Sequence, residues 1–282
     1  MVKVIKTVHE MQKEAERIRR SGETIGFVPT MGYLHEGHLS LVRLARVKAD
    51  VVVVSIYVNP TQFGPDEDLD QYPRNFKHDE ALLDKENVDM VFYPSDREMY
   101  PDGFSTSVEV EGLTDTLCGA SRPGHFRGVV TICAKLFHAV RPHFVVFGQK
   151  DAQQAVVIRR MIRDLNFDLE MIIGPIVREA GGLAMSSRNT YLSPGERRDA
   201  LSLHLALKMA EEMINKGERD PAVLYKAMHK LIAAKPHLKI DYISIVDPDT
   251  LEDLYIIENR TLIALAVFAG KTRLIDNVIV EV

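Results

Sequence analysis

Tryptophan is absent from this chain, and cysteine occurs only twice, as Cys118 and Cys133. The missing tryptophan excludes nothing. Two cysteines without metal-ligand spacing exclude a disulfide framework and fit a reducing, cytoplasmic setting. No long apolar run is present either. The longest, Val51 to Val58, falls well short of the roughly 20 residues a membrane helix needs, so no membrane partner is expected. The N-terminal stretch MVKVIKTVHEMQKEAERIRR lacks the apolar core of a secretory signal. Positive charge is in deficit: 35 Lys and Arg stand against 40 Asp and Glu, a net charge of -5. That balance argues against a dedicated nucleic-acid binder, which shows a basic footprint. Internal repeats and low-complexity tracts are also missing.

What is there is ordinary globular composition. The 282 residues are 46% hydrophobic and 27% charged, enough for one large domain or two modest ones. Thr7 and Glu10 have the spacing of a capping box, opening a helix to about Arg20 with Gly22 at its C-terminal cap. Thr24 to Val28 reads as a short strand stopped by Pro29, and helical periodicity starts at Leu39. Val51 to Val58, apolar on both faces, suits a central parallel strand. The alternation then continues. Helices are expected at about Lys77 to Glu86, Val129 to Ala139 and Ala152 to Leu165, and strands at Asp89 to Tyr93, His143 to Phe147 and Glu170 to Ile173. Such alternation implies a Rossmann-like, doubly wound parallel sheet. After Gly174-Pro175 the pattern changes. Ser193-Pro194-Gly195-Glu196 opens a helix to about Lys216, and Asp220-Pro221 opens another that ends before Pro236. Strands are expected at Lys239 to Val246, Thr261 to Phe268 and Leu274 to Val280. The expected organisation is an α/β domain over 1–176 and a smaller α+β lid domain over 177–282.

The chemistry concentrates after the Thr24 to Val28 strand. Met31-Gly32-Tyr33-Leu34-His35-Glu36-Gly37-His38 joins a strand to a helix at the carboxyl end of the sheet, where ligands of open α/β sheets bind. Gly32 and Gly37 leave room for a phosphate or purine to approach the backbone. A helix N-terminus offers unpaired N–H groups to anions. The spacing of His35 and His38 places them on one helix face, where both can meet one phosphate group as cation or proton donor near neutral pH. A zinc site would require a third ligand that is not nearby.

This segment resembles the HIGH motif of nucleotidyl-transferring α/β enzymes, among them class I aminoacyl-tRNA synthetases and cytidylyltransferases. Ala184-Met185-Ser186-Ser187-Arg188-Asn189 resembles their downstream Lys-Met-Ser-Lys-Ser signature, with Ala184 and Ser187 in place of the lysines. Further segments occur with these two: Phe27-Val28-Pro29-Thr30-Met31-Gly32, Val58 to Gly64 (VNPTQFG), Arg122 to Gly128 (RPGHFRG) and Phe147 to Gln154 (FGQKDAQQ). The whole set, over nearly the full length, resembles the pantothenate synthetase (pantoate–β-alanine ligase) family.

The resemblance implies condensation of pantoate with β-alanine, using ATP and Mg²⁺, through pantoyl adenylate. Met31 to His38 match the family's ATP segment. His38 matches its proton donor, and His35 contacts phosphate. Gly148, Gln149, Lys150 and Asp151 match a second ATP segment, Lys150 serving phosphate oxygens and Asp151 a ribose hydroxyl. Met185, Ser186, Ser187 and Arg188 match a third, and Val177 matches a backbone contact to adenine. Gln62 and Gln154 match pantoate-binding amides, which suit a substrate with hydroxyls and a carboxylate, and Asn59 is a neighbour in that pocket. Arg122 and Arg127 are expected in a mobile-looking loop closing over the phosphates. Asp79 is a candidate Mg²⁺ contact, while the acidic stretch Asp66 to Asp70 reads as a solvated loop. Homodimerisation is expected from the family alone. Two rivals compete: a related adenylyl- or cytidylyl-transferase acting on another small acid or phosphate, where Gln62 with Gln154 argues against a phosphorylated substrate, and an RNA-binding module descended from a synthetase, against which the acidic balance and the absence of a basic appended domain speak.

Overall fold

The computed structural model describes residues 2–65 and 67–282. The chain forms two compact units. The first comprises Met1–Glu111, Arg122–Gly148 and Val157–Pro175; the second comprises Gly112–Ser121, Gln149–Val156 and Ile176–Val282.

In the first unit, six strands make one parallel sheet in the order β1-β4-β3-β2-β5-β6. These are β1 (Lys3–Ile5), β2 (Ile25–Thr30), β3 (Val51–Ile56), β4 (Met90–Phe92), β5 (Phe144–Gly148) and β6 (Glu170–Gly174). The expected α/β architecture is present, with β3 central and valine-rich as its pattern requires. The short edge strand β1 was not expected from sequence, because three residues carry no readable period. The helices are α1 (Val8–Ser21), α2 (Glu36–Lys48), α3 (Phe76–Lys85), α4 (Asp96–Met99), α6 (His125–Val140) and α7 (Ala152–Asp164), with α5 (Leu117–Ser121) preceding α6 in the chain. Local signals account for α1: the Thr7 hydroxyl accepts from the Glu10 N–H at 3.2 Å. Gly22 (φ 83°) ends the helix in the left-handed region.

One face of the sheet buries Val28, Val52, Val54, Ile56, Val91 and Val146 against Leu41, Val42 and Ala45 of α2 and Leu83 of α3. On the other face Phe27 meets Phe137 of α6 edge-on, ring centres 6.4 Å apart. The chain fills β2, β3 and β4 in one direction and β5 and β6 in the other. The switch point therefore lies between β2 and β5, where ligands of such sheets bind.

Pro29 does not stop β2; it pairs with Ser55 of β3. The Thr30 carbonyl accepts from Tyr57 on the β3 side, so Pro29 faces the β5 side, where pairing has already ended at Phe27–Val145. No ladder donor is lost there.

The second unit packs α8 (Pro194–Asn215) and α9 (Pro221–Ala233) on an antiparallel sheet of β7 (Leu238–Val246), β8 (Thr261–Ala269) and β9 (Thr272–Val280). Leu203, Leu207, Leu224, Met228, Ile263, Leu265 and Val267 form its core. Ser193 and Glu196 make the expected reciprocal capping box. Side chains explain why two inner segments belong here. Gln153 donates to the Leu113 and Thr116 carbonyls (2.9 and 2.8 Å) and accepts from the Cys118 N–H (2.9 Å). Cys118 Sγ lies 3.2 Å from the Tyr242 hydroxyl. The Ser121 hydroxyl donates to Asp241 of β7.

Candidate active site

The turn after β2 is held in an unusual shape. Gly32 (φ 81°) and Tyr33 (φ 50°) are both left-handed, a conformation that costs a residue with a side chain about 1–2 kcal/mol. Asp79, on the first turn of α3, holds it. Its Oδ2 accepts from the Tyr33 N–H and its Oδ1 from the Leu34 N–H, each at 2.8 Å. The Asp79 side chain is only 1% exposed. The residue expected to meet a metal thus accepts one backbone N–H of the Met31 to His38 segment at each oxygen.

Helix α2 starts at Glu36, three residues before its apolar period, so His35 and His38 occupy the cap and first turn. The His35 Nδ1 accepts from the Gly37 N–H at 3.1 Å, and the His38 Nδ1 accepts from the His35 N–H at 3.3 Å. Two imidazoles thereby build a capping box, their ring centres 4.1 Å apart. A neutral imidazole that accepts at Nδ1 carries its proton on Nε2. Capping therefore selects the tautomer in which Nε2 is the donor. Glu36 pairs with Arg43, on the surface of α2.

A second cluster in this unit surrounds Gln62. Asn59, 1% exposed, donates through Nδ2 to the Gln62 Oε1 and to the Gly128 carbonyl, both at 3.1 Å. Its Oδ1 accepts from the Tyr100 hydroxyl (2.8 Å) and the Thr61 hydroxyl (3.0 Å). Burial raises the Tyr100 pKa and keeps that hydroxyl a donor. With its oxygen so occupied, Gln62 directs its amide nitrogen to the Met31 sulfur at 3.1 Å. The Gln62 carbonyl is held as well, by His125 Nδ1 at 2.8 Å. The Nε2 of that ring accepts from Arg122 at 3.0 Å.

Arg122 is not part of a loose loop. It forms a two-pronged ion pair with Glu67, both contacts 2.6 Å. Burial pushes the Glu67 carboxyl up, but the guanidinium outweighs it and the pKa is lowered. The acidic stretch is therefore not merely solvated, though its first residue, Asp66, lies outside the described residues. Helix α6 begins at His125, four residues earlier than its period suggests, because Gly124 (φ 81°) turns the chain into it. Arg127 sits exposed on its first turn.

The second unit holds the other predicted segments. Gln149, Lys150 and Asp151 form a short 3-10 turn before α7. Asn277 of β9 clamps it: its Nδ2 donates to the Gln149 and Lys150 carbonyls (3.0 and 2.9 Å), and its Oδ1 accepts from the Gln149 side chain at 3.0 Å. The Lys150 ammonium lies 3.9 Å from Asp151, and Gln154 is half-buried on α7. The Met185 N–H donates to the Val177 carbonyl at 2.9 Å. The Ser186 hydroxyl caps the following turn, accepting from the Arg188 N–H. Arg178 anchors this loop to β9 through Asp276 (2.6 and 2.9 Å) and to the Gly182 carbonyl.

In the first unit the structure brings together Met31 with Gln62 and Asn59, and Tyr33 and Leu34 with Asp79. In the second it brings together Gln149 and Lys150 with Asn277, and Val177 with Met185. Sequence reading missed Tyr100, His125, Gln153, Arg178, Asp276 and Asn277 as supports. His125 and Gln153 lay inside quoted segments, where their spacing offered a signal. Asn277 offered none, since its partners are 127 and 128 residues away.

Comparison with known proteins bears on the whole chain. A family model described as pantoate-beta-alanine ligase matches residues 3–279. A protein named pantothenate synthetase from Thermotoga neapolitana is 59% identical over 278 residues, 99% of each chain. The crystal structure of pantothenate synthetase from Thermus thermophilus superposes with a TM-score of 0.94 at 46% identity, covering 98% of this chain and 99% of that one. A pantoate-beta-alanine ligase from Francisella tularensis, titled as complexed with beta-gamma ATP and beta-alanine, gives 0.82 at 32% identity, over 99% and 97%. The likeness runs the whole length of the chain and takes in each segment that carries the candidate chemistry: this protein belongs to the pantoate–β-alanine ligase family of enzymes.

Proposed function

We propose that the chain joins pantoate to β-alanine at the expense of ATP, through pantoyl adenylate, and releases AMP and pyrophosphate. The observation that carries this reading is the imidazole capping box after β2, beside a separately organised amide pocket at Gln62. A pantoate carboxylate oxygen attacks the α-phosphorus, and the bond to pyrophosphate breaks. The β-alanine amine then attacks the acyl carbon, the acyl–oxygen bond breaks and AMP leaves. No enzyme nucleophile is needed, and the Cys133 thiol, pushed up to about 12 by burial, is not one. Rate comes from positioning and from stabilising phosphate charge.

In this reading Met31 to His38, Gly148 to Asp151, Val177 and Met185 to Arg188 serve ATP. His38 Nε2 supplies a proton to phosphate oxygen, and His35, Lys150 and Arg188 meet the phosphate charge. Gln62 and Gln154 take pantoate. Asn59 and Arg122 serve that pocket through Gln62, one at its side chain and the other through His125 at its carbonyl.

Magnesium is expected with ATP. No group of three or more His, Cys, Asp or Glu among the described residues is placed to hold a metal ion, and Asp79 is buried, 1% exposed, against the Tyr33 and Leu34 N–H groups. The residues present do not fit a protein-built Mg²⁺ site, so the ion belongs on phosphate oxygens and water.

Among the described residues no helix is long and apolar enough to cross a membrane. A cytoplasmic homodimer is the setting we propose, checked by sedimentation. The activity itself is tested by AMP release. Folded protein with ATP, Mg²⁺, pantoate and β-alanine should form AMP only when both acids are present. AMP formation at background level under those conditions would sink the assignment.

A further inference from the structure

We propose that Asp79 is the positioning residue of the nucleotide segment and not a ligand of magnesium. Its catalytic consequence rests on the reading above; its structural half does not.

Gly32 and Tyr33 are both left-handed, and the N–H groups of Tyr33 and Leu34 converge on one carboxylate of the protein. Each Asp79 oxygen takes one N–H at 2.8 Å. The negative charge also stands in the first turn of α3, at that helix's positive end. Space is tight: a Cβ on Gly32 would stand 3.0 Å from the Asp79 Oδ2 and 2.9 Å from Ile56. The half-exposed His78 also approaches the carboxylate, with Nδ1 3.4 Å away.

The chain runs directly from Leu34 into His35. Holding the Leu34 N–H therefore fixes where the cap of α2 starts, and with it the two imidazoles, whose rings are tilted 34° to each other. Each Asp79 oxygen keeps a second lone pair, but with the side chain only 1% exposed neither presents it to a hydrated cation. Asp79 instead acts on the reaction through His35 and His38.

Two experiments separate the roles. In Asp79→Asn one oxygen remains, but an NH₂ faces a backbone N–H, so one bond is lost; Asp79→Ala loses both. Displacing reacting groups by about an ångström costs on the order of 100-fold. Asp79→Asn should lower the adenylation kcat by that order while the Mg²⁺ concentration for half-activation stays within about twofold of wild type. A Mg²⁺ midpoint raised about tenfold, with kcat restored at saturating Mg²⁺, would show a metal ligand and overturn the proposal. Near-normal kcat in both variants would overturn it equally. The second experiment uses the unaltered protein without nucleotide. The Tyr33 and Leu34 amide NMR signals should stay in place through a Mg²⁺ titration and stay sharp with Mn²⁺. Selective shifting or broadening of those two signals would refute the proposal even if the variants fail to fold. It would do so whether or not pantoate proves to be the substrate.

Discussion

His35 and His38 cap α2, and in the proposed reaction they also serve its chemistry. Each Nδ1 is tied to a backbone N–H, so the neutral rings both hold Nε2 protons. The two duties can be separated at His38. The Asn oxygen can stand where Nδ1 stands, but nothing in Asn reaches the position of Nε2. We expect His38→Asn to keep the thermal midpoint close to wild type. It should lose adenylation by on the order of 100- to 10,000-fold, the usual worth of a positioned proton donor. Pyrophosphate exchange without β-alanine measures this step, and exchange at the normal rate would remove His38 from it. The pair was legible in sequence, because His-x-Gly-His after a strand is rare enough to notice. Which nitrogen each ring uses was not legible, since that depends on backbone N–H groups whose direction only the folded turn sets.

Elements followed local signals closely where caps are encoded by neighbours. Thr7 and Gly22 bound α1, Ser193 and Glu196 open α8, and Asp220 with Pro221 opens α9. Local reading failed where a distant partner decides. The start of α6 is such a case. A Cβ on Gly128 would lie 2.3 Å from the Thr61 carbonyl oxygen and 2.7 Å from the Gln62 Cα. The helix thus packs its backbone on the turn that carries Gln62. Gly128→Ala must push that turn away. Overpacking of this kind typically costs about 1–3 kcal/mol, so the variant should unfold at lower urea. Its KM for pantoate should rise as Gln62 moves. An unchanged midpoint together with an unchanged KM would disprove this coupling.

For the whole molecule, several buried or bonded groups give stability the same dependence on pH. Burial lowers the His143 pKa, with Arg19 adding to it, and the His143 Nδ1 accepts from the Ile25 N–H at the start of β2. Burial lowers His204 too, with Arg178 next. For Glu67 and Asp247 burial pushes upward, but Arg122 in one case and backbone N–H groups of Thr250 and Asp249 in the other bring the net shift down. In all four the folded pKa lies below the unfolded one, so the unfolded chain takes the proton first. Their stabilisation is complete above the unfolded pKa and is lost as pH falls through the folded values. Loss should begin below the ordinary histidine value of 6.5 and steepen below the ordinary glutamate value of 4.5. Urea midpoints should fall from about pH 7.5 to about pH 5.5 and again to about pH 4.5. Equal midpoints at the first two would contradict the histidine contribution.

Much was determined by sequence alone. Apolar periodicity and capping residues are local properties of the chain, and they sufficed for the α/β class and most elements; the family was legible through the resemblance of its contiguous motifs. The segments expected to bind ATP and pantoate were visible for the same reason, as contiguous runs. Only the tertiary structure decided how those runs are held. Asp79 reaches back to Tyr33 and Leu34 across 46 and 45 residues, Asn277 reaches Lys150 across 127, and Arg122 meets Glu67 across 55. A carboxylate, an amide and a guanidinium look alike in sequence whether they face a ligand or a backbone N–H. Burial and distance distinguish them, and both arise only when the chain has folded.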